Sequence, residues 1–153
     1  MIRIASCGFA VAVFVLTMQL RAQLQNVQVA PDHKGFVLEQ TKAPFRPWGF
    51  NYDRDYKSRL LEDYWEKEWQ TVADDFREMK DLRANVVRIH LSLGRFMSSA
   101  DAPIDSALQQ LEKLFRLADE LQIYIDVTGL GGYRKEDVPA WYDALSELSL
   151  IHI

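Results

Sequence analysis

Asn51, Arg88, His90 and Asp126 are side chains of the kind that hold polar ligands, and each lies in a short segment whose apolar and polar residues alternate. Along Asn85 to Leu91, Val87, Ile89 and Leu91 share one side while Val86, Arg88 and His90 share the other. Along Ile123 to Thr128, Ile123, Ile125 and Val127 oppose Tyr124, Asp126 and Thr128. Side chains of these types, pointing to one side from neighbouring strands, could line a site. The same groups could instead satisfy one another. A buried Arg88 beside Asp126 would need charge-assisted pairing to offset its desolvation, and Asp126 is therefore read as a supporting residue. Arg88, His90 and Asn51 stand as cleft candidates. Tyr52 and Tyr56 join them, beside Asp53, Arg54 and Asp55, because flat rings at a cleft mouth stack on the apolar face of a sugar. Trp48 is assigned to packing, and Trp65 and Trp69, four apart in a helical pattern, to the core.

The elements that would position these residues alternate in type. Residues 23–35 read as an extended lead-in, and Phe36 to Leu38 with Pro44 and Phe45 as a short hairpin sealing one end of a domain. Trp48 to Tyr52 is a first strand. Leu61 to Leu82 then has helical spacing, with Trp65, Trp69, Val72, Phe76, Met79 and Leu82 on its inner face. After the second strand, Ser98 to Pro103 reads as a loop. Asp105 is expected to cap a helix running to Leu121 with Leu108, Leu111, Phe115 and Ala118 inward. A third strand is followed by a flexible stretch at Gly129, Gly131 and Gly132. Pro139 then fits the first turn of a further helix striped by Trp141, Leu145 and Leu148.

Strand, helix, strand, helix, strand, helix predicts an α/β fold with a parallel sheet. In a doubly wound sheet, central strands lie under helices on both faces and read as continuous apolar runs. These strands keep one polar face, which favours a partial (β/α)8 TIM barrel of about three β/α units.

Composition bounds the partners. The 153 residues include 18 basic and 22 acidic ones, a net charge of -4, so the basic footprint that duplex nucleic acid demands is lacking. No nucleotide is expected either. The glycines at 129, 131 and 132 lack a following Lys-Ser or Lys-Thr pair and miss the dinucleotide spacing. Ile4 to Met18 is uncharged and apolar between Arg3 and Arg21, shorter than a bilayer span, and reads as a secretory signal covering residues 1–22. Bulky Leu20 before the expected cut at Ala22 leaves an uncleaved membrane anchor as the alternative. Cys7, the one cysteine, falls within this segment, which leaves the processed chain no thiol for disulfides, nucleophilic catalysis or zinc. His33, His90 and His152 match no local metal-ligand spacing, so neither metal nor cofactor is expected.

The runs Trp48-Gly49-Phe50-Asn51-Tyr52, Asp75-Phe76 through Met79-Lys80, Ala84-Asn85-Val86-Val87-Arg88-Ile89-His90 and Ile123-Tyr124-Ile125-Asp126 resemble the opening of clan A glycoside hydrolases, in particular family 5 cellulases and β-mannanases. The resemblance covers about Phe36 to Leu148. It implies that residues 36–153 form the N-terminal part of a glycosidase barrel and that Arg88 lies beside the nucleophile of the complete enzyme. His90 is implied only as a neighbour of the site. Retaining members use two glutamates about 5 Å apart as acid/base and nucleophile. The resemblance places both on later strands, so this chain is expected to be an inactive fragment of a secreted enzyme acting on cellulose or β-mannan. A non-catalytic carbohydrate-binding or membrane-anchored surface protein is the rival expectation, and an open sheet edge would favour self-association. The family tends to have glycine where Arg83 and Gln122 stand, after helices. Left-handed geometry at either would cost about 1 kcal/mol.

Overall fold

The computed structural model describes residues 24–132 and 135–144. The segment read as a signal, with Cys7, and also Leu145, Leu148 and His152 lie outside them.

The first unit is a three-stranded antiparallel sheet, β1 (Val27–Val29), β2 (Phe36–Leu38) and β3 (Pro44–Phe45), in that order. The hairpin of β2 and β3 forms as its sequence suggests, while the lead-in contributes an extra strand, pairing Val27 with Leu38. The Phe45 ring meets the Tyr124 ring edge-on at 5.0 Å, and the Tyr124 hydroxyl donates to the Gln25 carbonyl at 2.6 Å. Tyr124 begins its strand, so this small sheet rests on the N-terminal end of the larger one.

That larger sheet is parallel, with β4 (Gly49–Asn51), β5 (Val86–Ser92) and β8 (Tyr124–Gly131) in the order β4-β5-β8. Gly49 is required at its start, since a β-carbon there would lie 1.6 Å from the Val86 carbonyl oxygen. Between these strands come α1 (Leu61–Tyr64) and α2 (Trp69–Asp81), then α3 (Leu93–Phe96), the short antiparallel pair β6 (Met97–Ser99) and β7 (Ala102–Pro103), and α4 (Asp105–Leu121). A single 3₁₀ turn (Lys135–Asp137) and α5 (Ala140–Asp143) follow β8. The fold is mixed α/β, and the described strands form small sheets without closing a barrel.

Helices α2 and α4 cover one face of the parallel sheet. Val72, Ala73, Phe76 and Met79 from α2 and Ala107, Leu114, Leu117 and Ala118 from α4 bury Val87, Ile89 and Leu91, with Phe50, Tyr52 and Ile125 packed alongside. Side chains of Phe76, Val87, Ile89 and Leu114 are wholly enclosed. Burial on this scale is the main force holding strands to helices, at about 1.5–3 kcal/mol per large apolar side chain.

Both long helices end in the same way. After α2 the Arg83 amide donates to the Lys80 carbonyl and the Ala84 amide to that of Met79; after α4 the Gln122 amide donates to Asp119 and the Ile123 amide to Ala118. These are Schellman closures, and they put Arg83 at φ 67° and Gln122 at φ 55°. Ala84 and Ile123 are then buried as each chain turns into its strand. Arg83 and Gln122, the non-glycine residues that the resemblance singled out, do sit in left-handed geometry.

Several expectations are corrected. The helix foreseen over 61–82 is two helices, because the chain departs from helical geometry between Trp65 and Glu68, which has ψ 38°. The Trp65 carbonyl freed by the break is bonded by the Gln110 amide group at 2.9 Å, and Glu68 is held by Arg59 at 2.6 Å. In α4 Ala118 is buried as expected, but the rest of the buried face is turned by one residue. Leu108 and Phe115 are exposed and Leu111 half-buried, because small Ala107 and Ala118 allow the helix to lie close on the sheet. Asp105 is inside the first turn, with Ile104 at the cap, whereas Pro139 is itself the cap residue of α5 rather than part of its first turn. Ser98 to Pro103 is the β6–β7 pair rather than an open loop. Gly129 and Gly131 belong to β8, whose register with β5 shifts between His90 and Leu91 so that Gly129 is passed over. A strand tolerates these glycines where the ladder bulges, which the loop reading overlooked. Trp65 is in the core and Trp69 is half-buried beneath the Lys113 ammonium, 4.0 Å from its ring.

Candidate functional site

Parallel register sets Asn51 beside Arg88 and Arg88 beside Asp126, so one residue from each strand stands in a row across the sheet. One step further along, His90 pairs with Thr128. Alternation directs all five away from α2 and α4, because their neighbours Phe50, Val87, Ile89 and Ile125 belong to the helix-covered face. Asn51, Arg88 and Asp126 are exposed, and among the described residues no helix covers this face.

The row is loosely tied. Arg88 Nε donates to Thr128 Oγ1 at 2.7 Å, whereas its approach to the Asp126 carboxylate is 3.8 Å, with the two side chains 46% and 60% exposed. An ion pair so open contributes about 0–1 kcal/mol, so Arg88 is not a buried cation compensated by Asp126. Among the described residues its two terminal nitrogens donate no hydrogen bond to protein, leaving the planar end of the guanidinium for a ligand. Asp126 is held no more firmly and presents its oxygens on the same side.

Two hollows flank the Arg88–Thr128 contact. One, of about 240 Å³, is lined by Pro47, Gly49, Asn51, Val86, Arg88 and Asp126; the other, of about 330 Å³, by His90, Thr128 and Gly129 to Gly132. In the second, backbone atoms are reachable because glycines carry no side chains over them.

Other candidates fall elsewhere. Tyr52 turns to the helix side, where its hydroxyl donates to Asp75 Oδ2 at 2.5 Å and its ring meets Phe76 edge-on at 5.5 Å. Burial, reinforced by the bond to Asp75, pushes its phenol well above the ordinary range. Tyr52 is thus not a cleft residue: it is one position past Asn51, and strand alternation sends it to the opposite face. Trp48 lies at the N-terminal end of β4, largely exposed, with its indole N–H 3.4 Å from the Leu82 carbonyl, so it packs less than expected. Tyr56 stands at the tip of the loop after β4, 89% exposed.

Glu62 went unnoticed in the sequence. Its Oε1 accepts the Ser92 amide at 2.7 Å, pinning the C-terminal end of β5 to α1, and burial pushes its carboxyl upward against the lowering effect of that bond. Nearby, Arg95 donates to Asp63 at 2.7 Å and ties α3 to α1. A half-buried acid in so short a helix gives no sequence signal for such a contact, since its partner is a backbone amide thirty residues away.

Among the described residues no group of three His, Cys, Asp or Glu side chains is placed to hold a metal, and no helix is long and apolar enough to cross a membrane. Comparisons with protein-family models, with curated proteins and with solved structures found no match.

Proposed function

We propose that the open face of β4, β5 and β8 is part of the substrate cleft of a secreted glycoside hydrolase acting on β-linked polysaccharide of the cellulose or β-mannan type. In this reading the parallel sheet is the opening of a (β/α)8 barrel, whose sites form toward the C-terminal ends of the strands, the direction in which Asn51 ends β4 and His90 and Thr128 follow the row on β5 and β8. The observation that carries it is the row Asn51, Arg88, Asp126, one polar side chain from each strand at a single level, facing away from the helices. The sequence resemblance to family 5 glycosidases gives this row its ligand, and the apolar first segment its secreted location.

Retaining hydrolysis takes two carboxyl groups about 5 Å apart. Among the described residues the open face carries Asp126 alone, without a partner acid in its row. The chain therefore binds oligosaccharide without cleaving it, the behaviour that the carbohydrate-binding alternative also expects. Calorimetric titration of the full chain with cellotetraose and mannotetraose, alongside a reducing-sugar assay on the polymers, tests both halves. Binding by the wild type that Arg88→Ala abolishes, with no sugar released, is the expected result. Absence of binding at millimolar sugar overturns the cleft assignment, and release of reducing ends overturns the inactive one.

A further inference from the structure

Two copies of this chain, we infer, join through β8 about a twofold axis at Val127, so that their parallel sheets continue as one six-stranded sheet with α4 packed on the partner's α4. The pairing leaves the Arg88 row uncovered and stands whatever that row binds. An open edge favours association in general, but here length and flank select one edge from several. The other outer strands of the two three-stranded sheets, β1, β3 and β4, have two or three residues each. Strand β8 has eight, from Tyr124 to Gly131, with neither proline nor lysine among them to blunt the edge. Among the described residues its one strand neighbour is β5.

The backbone of β8 fixes the register. The Tyr124 amide donates to the Asn85 carbonyl at 2.8 Å, toward β5, and backbone groups alternate in direction along a strand. Ile125 and Val127 therefore direct their N–H and C=O groups to the free side. A twofold axis at Val127 gives an antiparallel pair in which Val127 and the partner's Val127 exchange both hydrogen bonds. The same register sets Asp126 opposite the partner's Thr128 rather than the partner's Asp126, which keeps like charges from facing each other. Thr128 Oγ1 accepts from Arg88 Nε at 2.7 Å, so its own O–H is left to donate to the partner's Asp126. Each copy thus supplies the acceptor for one such bond and the donor for the other.

The helix layer is unfinished along the same edge. Val127 lies on the helix-covered side in register with Ile89, yet Ile89 is 0% exposed and Val127 41%. On α4, Lys113 marks the flank toward α2, with its ammonium over the Trp69 ring. Phe115 is two residues further on and Leu108 five residues back, which turns them about 160° and about 140° from Lys113. They point away from α2, over the free side of β8, and are 41% and 43% exposed with half-buried Leu111 between them. A strip formed by one strand and one helix, each about 26 Å long in layers about 10 Å thick, covers roughly 500 Å² on each copy. The pair then buries roughly 1,000 Å², the size at which specific interfaces begin.

Sedimentation velocity of the purified full chain, from micromolar to submillimolar concentration, is expected to show a dimer of twice the chain mass. Val127→Pro removes the outward amide without breaking a bond to β5, and Phe115→Lys sets a charge on the exposed flank of α4. Each is expected to weaken the dimer at least about tenfold and Thr128→Val about threefold, with circular dichroism spectra unchanged. A wild type that stays monomeric throughout overturns the pairing. So does a series of ever larger oligomers, because a twofold contact closes on itself. A dimer that survives Val127→Pro overturns the strand pairing, and one that survives Phe115→Lys overturns the helix contact. Where Val127→Pro loses its fold, Phe115→Lys decides, since its side chain is exposed in the single chain.

Discussion

The two faces of the β4-β5-β8 sheet are made by the same strands and obey opposite rules. Toward α2 and α4, Val87, Ile89 and Phe76 have no access to solvent, and the polar hydroxyl of Tyr52 is bonded to Asp75. On the other side Arg88 and Asp126 face each other across 3.8 Å, in reach of water. Residues adjacent in sequence, such as Val87 and Arg88, thus answer to packing in one case and to solvent in the other. The contrast teaches that the packing which holds the fold lies on one face, and that substitutions should divide by face rather than by position in the chain.

Removing mass from the covered face should have the largest effect. Phe76→Ala is expected to destabilise by about 3–5 kcal/mol, read as a lower urea midpoint with an unchanged slope, because the cavity forms where Tyr52 and the strands pack. A loss below about 1 kcal/mol would mean that the enclosed layer does not hold the fold together.

Next comes the polar contact within that face. Tyr52→Phe leaves the half-buried Asp75 carboxylate without its donor and should cost about 1–3 kcal/mol. The same contact gives a dependence on pH. The folded phenol ionises well above its unfolded value of about 10, so its contribution is complete below about pH 10 and is lost as pH rises beyond it. Denaturant titrations at rising alkaline pH should show a steeper decline for the wild type than for Tyr52→Phe, and parallel curves would refute the assignment.

Smaller gains are expected at the helix ends. Arg83→Gly and Gln122→Gly each relieve a left-handed non-glycine residue and should stabilise by about 1 kcal/mol, seen as a raised melting temperature. A fall in both would show that side-chain contacts of Arg83 and Gln122 outweigh the backbone strain.

The open face should respond least. Arg88→Ala is expected to shift stability by no more than about 0.5 kcal/mol, since its ion pair is exposed. A larger loss on thermal unfolding would place Arg88 in the structure rather than in the cleft.

Much of this division could be read from alternation. Val87, Ile89 and Leu91 against Arg88 and His90 announced two unlike faces, and the hairpin at Phe36 to Phe45 announced itself through its apolar runs and the intervening turn. Tyr52 was assigned by its chemistry when its position, one past Asn51, already assigned it to the helices. The phase of α4 was ambiguous because Ala107, Leu114 and Leu117 form an apolar stripe next to that of Leu108, Leu111 and Phe115, and only packing against the sheet selects between them. The break at Trp65 to Glu68 and the anchoring of Ser92 by Glu62 depend on partners distant in the chain, Gln110 and a strand-end amide, which no local pattern encodes. Arg83 and Gln122 could be picked out because their departure from glycine stands where a helix must turn into a strand.

Nuclear magnetic resonance mapping of the isotope-labelled chain during titration with cellopentaose and mannopentaose reads the two faces at once. The expected result is saturable shifts confined to the amides and side chains of Asn51, Arg88, Asp126, Thr128 and the glycines after it, with Val72, Phe76 and Leu114 unmoved. Shifts centred on the α2–α4 layer, or none at saturating sugar, would contradict the assignment of the uncovered strand face to ligand binding.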